Sequence, residues 1–168
     1  MYKRQTEHTG AYTTGSMNTA TKLNLSIKET PQSVSVITRQ QMDDFNLNTL
    51  TDVLRQTTGI TVQHLDSDRV GYSSRGYSIS NYQVDGMLST YGRMKPDADT
   101  IIYDRIEVVR GATGLTTGAG DPSATVNMIR KRPTADWQAR AGVSGASHDN
   151  YYSLSLIHIS EPTRLRRI

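Results

Sequence analysis

From Ser33 the chain reads SVSVIT, apolar residues alternating with small polar ones at the period of two that turns one side of a strand toward a core. Thr38 and Gln41 then have capping-box spacing, so a short helix is expected to open at Thr38 and run to Phe45. Thr49 can cap the amide near Asp52, and the second helix that this opens puts Leu50, Val53 and Leu54 on one face. Gly59 is placed to stop it in the left-handed region. ITVQH follows as a strand, and YSSRGYSISNYQVDGM reads as strand, bend and strand, with Asp85-Gly86 as a tight turn. Tyr91 to Thr100 is a polar loop, after which RIEVVRG and TVNMIRKRP form two strands around a glycine-rich loop. The pattern predicts an α+β domain, a small mixed sheet with two or three short helices, over residues 31–133.

The flanks of that domain differ from it. Residues 6–30 are rich in Thr, Ser, Asn and Gly with scattered apolars, too few to bury an ordering surface, so a flexible lead segment is expected. In residues 134–153, WQARAGVSGA alternates an apolar with a wetter face, SHDN makes a turn, and YYS begins another strand with paired aromatics. About ten residues of such alternation ending in aromatics is the pattern of an outer-membrane barrel strand.

The two extreme ends read as non-native. LSLIHIS can be back-translated to a DNA run whose reverse complement, begun at a GTG start codon, reads MYKRQ, the first five residues of the chain. Residues 1–5 and 154–168 are therefore set aside as two readings of one inverted sequencing-library adaptor. They carry five basic residues and one acidic; without them 14 basic and 15 acidic residues remain, and the formal charge falls from +3 to −1. The basic balance that would have invited a nucleic-acid partner disappears, and no nucleic acid is expected.

Candidate chemistry is sparse. The chain has no cysteine, and His8, His64, His148 and His158 lack ligand spacing, so no metal site is expected. Asp43, Asp44 and Asp52 could be catalytic acids, but first-turn positions, where acids favour the helix dipole, account for them without chemistry. In the glycine loop a Walker motif fails, because the sixth position from Gly111 is Thr116 and no lysine follows Gly118. A dinucleotide fingerprint from Gly118 would need glycine where Ser123 stands, and the loop leads into a strand instead of a helix. What remains for Gly111, Gly114, Gly118 and Gly120 is positive φ and close backbone approach in a crowded space.

ETPQSVSVITRQQMDDF, LTDVLRQTTGITV, SRGYSISNYQVDG and YDRIEVVRGATGLTTGAGDPSATVNMIRKRPT resemble the plug domain of TonB-dependent ferric-siderophore receptors, most of all the ferripyoverdine and ferric-coprogen (hydroxamate) receptors. The likeness covers Thr6 to Ser153. It implies a plug folded inside a transmembrane barrel of 22 strands, itself missing here apart from its first strand or two, with the glycine loop as a packing device in that confined lumen. Arg75 and Arg110 correspond to plug arginines that pair with barrel glutamates, and Glu107 is expected to join them; in an isolated domain they would simply be solvated strand-end charges. DSDRVGY aligns with the segment whose arginine touches the iron chelate, which places Arg69 in the pocket. Tyr91 corresponds to a ligand tyrosine in a loop about four residues shorter than the family pattern, and Tyr72 and Tyr82 are further candidates that could equally be plug packing.

The resemblance further implies a ferric siderophore as ligand, iron entering only with it, and no cofactor. Its other partners would be the receptor's own β-barrel, outer-membrane lipid, and the TonB energy-transducing complex, reached through a TonB box expected just before Thr6 and not visible in the chain. Two rival readings are a soluble periplasmic interaction domain ending near Pro133 and a nucleotide-binding enzyme built on the glycine loop.

Overall fold

The computed structural model describes residues 6, 9–66, 69–89, 98–111, 122–132, 138–146 and 150–158. They fall into two units, residues 1–130 and residues 131–168.

Among its described residues the first unit holds eight strands and two helices: β1 (Ser33–Thr38), α1 (Arg39–Asp44), α2 (Leu50–Gln56), β2 (Thr61–His64), β3 (Val70–Ser74), β4 (Tyr77–Ser78), β5 (Asn81–Val84), β6 (Met87–Ser89), β7 (Tyr103–Arg110) and β8 (Ala124–Arg130). A five-stranded sheet runs in the order β1-β7-β8-β5-β6, and β2-β3-β4 make a separate antiparallel sheet. Among the described strands only β5 and β8 pair in parallel, so the main sheet is mixed, as the α+β pattern predicts.

Register gives the main sheet two unlike faces. Ile37, Ile106, Met128 and Val84 lie on one row and Val108, Val126 and Tyr82 on another, and all belong to the apolar core with Leu50, Val53 and Leu54 of α2. The intervening positions face the other way: Val36, Glu107, Asn127 and Gln83 share one row, and Val34, Val109, Thr125 and Asn81 the next. Thr125, Asn127, Gln83, Asn81 and Glu107 are all buried. Burying such groups is costly unless hydrogen bonds replace water.

Part of that cover comes from the lead segment, which corrects the expectation of a flexible tether. Thr6, Met17, Thr19, Ala20 and Thr30 are buried. Met17 and Ala20 pack on Val109, with Ile27, Val34 and Val36 around them, and Met17 bridges Leu25 across a small loop. Composition misleads here because threonine hydroxyls, counted as polar, are what a buried polar sheet face can bind.

Local signals otherwise hold with adjustments. Thr49 and Asp52 form a reciprocal capping box for α2, whereas at α1 Thr38 accepts from the Gln41 amide alone. Asp43 and Asp44 sit in the last turn of α1, not its first, and are held by Arg39 and by Gln40 and Tyr12. The α2 C-cap is Thr57, whose hydroxyl donates to the Val53 carbonyl; Gly59 takes a positive φ of 77° two residues later. The glycine loop after Gly111 lies outside the described residues.

The second unit is an antiparallel hairpin of β9 (Gln138–Ala146) and β10 (Asn150–His158). Pairing continues past Ser153 to His158, into residues set aside as non-native, because SLSL keeps the period-two alternation of a strand whatever its origin. No helix among the described residues is long and apolar enough to cross a membrane, which leaves strands aside.

Candidate functional site

The sequence-predicted residues fall into three places. Arg69 stands in the loop that closes the β2–β3 hairpin, where the Leu65 amide donates to its carbonyl at 3.0 Å. The Asp66 carboxylate accepts from the Arg69 amide at 2.8 Å and from Nε at 2.6 Å, and Nη2 lies 2.5 Å from it. The side chains are 59% and 40% exposed, so this ion pair is weak and exchangeable, on the order of 1 kcal/mol or less. The Arg69 guanidinium is thus solvent-exposed and held only by this local pair. Tyr91, its expected companion, lies outside the described residues.

Tyr72 and Tyr82 are not on that surface. Tyr72 is 3% and Tyr82 1% exposed, and their rings meet edge-on with centroids 6.4 Å apart. The Tyr72 hydroxyl is 2.8 Å from Thr51 Oγ1, joining β3 to α2. Burial, with Tyr72 beside it, pushes the Tyr82 phenol above its ordinary range. Both rings pack the core, and burial leaves neither with a face for a ligand.

Arg75 and Arg110 converge. Arg75 and Gly76 are the central residues of the two-residue β3–β4 turn, with φ of 53° and 83°, the pattern of a type I′ hairpin. Arg75 Nη1 would lie 3.4 Å from a Cβ added at Gly111. From half-buried Arg110, Nε and Nη2 donate to Ser33 Oγ at 3.1 and 2.9 Å, and Nη1 donates to Ser35 Oγ at 2.8 Å and to the Thr58 carbonyl. Desolvation first, and the charge of Arg75 second, make the Arg110 proton easier to lose than usual. Among the described residues, no carboxylate lies within ion-pair distance of either guanidinium.

Glu107 belongs elsewhere. Three residues from Arg110 on one strand, it projects from the opposite sheet face. There Arg105 Nε donates to it at 2.8 Å, and Arg105 Nη1 donates to Asp104 at 2.9 Å. Thr19 Oγ1 donates to Glu107 and accepts from Asn127 Nδ2 at 2.7 Å, while Asn127 Oδ1 accepts from the Gly86 amide at 3.0 Å. Thr6 closes the other end, its amide and hydroxyl donating to Asp104. Sequence reasoning missed this network. Its one available signal was the acid-base-acid order of Asp104, Arg105 and Glu107 within a strand that is otherwise apolar as far as Val109.

The TonB-dependent receptor plug domain matches residues 26–125, from the end of the lead segment into β8. The chain belongs to that family. It is 51% identical over 153 residues to the ferripyoverdine receptor of Pseudomonas aeruginosa, covering 88% of this chain and 19% of that protein. It is 52% identical over 152 residues to the ferric-pyoverdine 358 receptor of Pseudomonas putida, covering 87% and 18%. Among solved structures, the plug domain resembles the complex of FpvAI with pyocin S2 at a TM-score of 0.88 and 48% identity, over 95% of this chain and 22% of that one. The ferripyoverdine-bound receptor of P. aeruginosa gives 0.85 and 49%, over 91% and 21%. The chain therefore spans about a fifth of the length of these relatives.

Proposed function

We propose that this plug domain belongs to a Gram-negative outer-membrane receptor that binds ferric siderophores and imports them by TonB-dependent transport. The observation that carries the reading is the Arg75–Arg110 pair: two converging cations, one half-buried, without a carboxylate among the described residues. A cation taken out of water needs a partner, and a wall of barrel acids around the plug supplies one. Identity of about one half to ferripyoverdine receptors supports the ligand class. In this reading the chain catalyses no covalent step and holds no cofactor; iron arrives within its chelate.

Arg69 is the plug's contact for that chelate, with Tyr91 in the same role. Ferric hydroxamates and catecholates present oxygen-rich faces that a guanidinium meets with charge-assisted hydrogen bonds. Asp66 holds the Arg69 fork in place until the ligand shares or displaces it. In the full-length receptor, Arg69→Ala should weaken ferripyoverdine binding roughly tenfold or more, the loss of one or two hydrogen bonds to a charged group. The barrel should assemble as before. An unchanged dissociation constant in a fluorescence-quenching titration removes Arg69 from the pocket.

A further inference from the structure

We infer that residues 9–30, with Thr6 as outer anchor, are a detachable strap over the hydrophilic face of the main sheet, and that the strap leaves as a unit before the sheet loses a strand. The first ground is how it is attached. Among the described residues, its backbone hydrogen bonds stay within the strap: Thr9 to Thr6, Met17 with Leu25 in both directions, Lys22 to Asn18 and Glu29 to Ser26. Its bonds to the rest of the fold use side chains: Thr6 to Asp104, Thr19 with Glu107 and Asn127, Tyr12 to Asp44, and the Thr38 hydroxyl to the Ala11 carbonyl. By contrast β7 is paired along its length on both sides, to β1 and to β8.

The second ground is what the strap covers. On the core face, separation would expose Ile106, Val108, Val126 and Met128 to water, at about 25 cal/mol for each Å² of apolar surface. Under the strap the sheet presents Arg105, Glu107, Thr125 and Asn127, groups that water can serve as well as Thr19 does. Apolar loss is limited to Met17, Ala20 and Ile27 against Val109, Val34 and Val36, and to the exposed Tyr12–Phe45 ring contact at 6.2 Å. Its attachments are also interdependent: Thr19, at Glu107 and Asn127, lies between Met17 and Ala20 of the apolar patch on Val109, with Thr6 beside Asp104 as the outer anchor, so losing one loosens the rest. Uncovered, the face is wettable and keeps its strands.

Hydrogen exchange on the full-length protein tests this without ligand or energy transducer, so the result stands apart from the Arg69 titration. The amides of Met17 and Leu25 should exchange through an opening that leaves β7 and β8 protected. Thr19→Val, similar in size but unable to bond Glu107 or Asn127, should speed exchange at Met17 and Leu25 roughly tenfold with β7 and β8 unchanged. Thr19→Ser should stay near wild type. Exchange of the strap only together with β7 and β8, or equal acceleration of both by Thr19→Val, overturns the inference; should Thr19→Val not assemble, the wild-type comparison decides.

Discussion

Arg105 does the work of two residues. Its fork meets Glu107 through Nε and Asp104 through Nη1, and all three side chains are almost wholly buried. Arg105→Ala would leave two carboxylates in a dry site with hydroxyl and amide partners but no cation. It should lower stability by about 3–5 kcal/mol, read as a fall in the urea midpoint at unchanged slope. Arg105→Lys should recover only part of that loss, since an ammonium cannot span both acids with a rigid fork. The same residue shows where reading a sequence stops. Arg75 and Arg110 drew attention through the motifs that contain them, whereas Arg105 looks like any strand arginine until register places Glu107 and Asn127 in one row under Thr19.

Among the elements, what local chemistry dictates was legible. Period-two runs marked β1, β7 and β8, Thr49 with Asp52 marked the start of α2, and Asp85-Gly86 marked the β5–β6 turn, where both residues take positive φ. The Arg75-Gly76 turn was not, because arginine rarely takes the left-handed region and its charge suggested a partner instead of a bend. The parallel pairing of β5 with β8 has no local signature. Glycines at positive φ now separate by surroundings. At Gly86 an added Cβ meets nothing within 4 Å, so Gly86→Ala should cost only the backbone penalty, about 1–2 kcal/mol. At Gly59 the added Cβ would lie 3.2 Å from Arg110 Cδ, so Gly59→Ala should destabilise more, and a comparison of thermal midpoints should rank the two variants in that order.

For the whole molecule, the two sheet faces divide the labour. One face buries apolar side chains under the helices and sets cohesion; the other buries polar ones beneath the lead segment. In the proposed full-length receptor, Arg110→Ala should raise the leak of large antibiotics across the outer membrane, and adding Arg75→Ala should add less than its separate effect because the two charges are neighbours. Leak at the wild-type level in both variants would mark them as ordinary strand-end cations. Arg110 also clasps two separate segments to its own strand, the leading residues of β1 at Ser33 and Ser35 and the turn after α2 at Thr58. In the proposed receptor that clasp would make insertion its own proofreading: a plug seated askew would leave its knot without a counter-ion, and the misfit would be felt at once where the first strand begins.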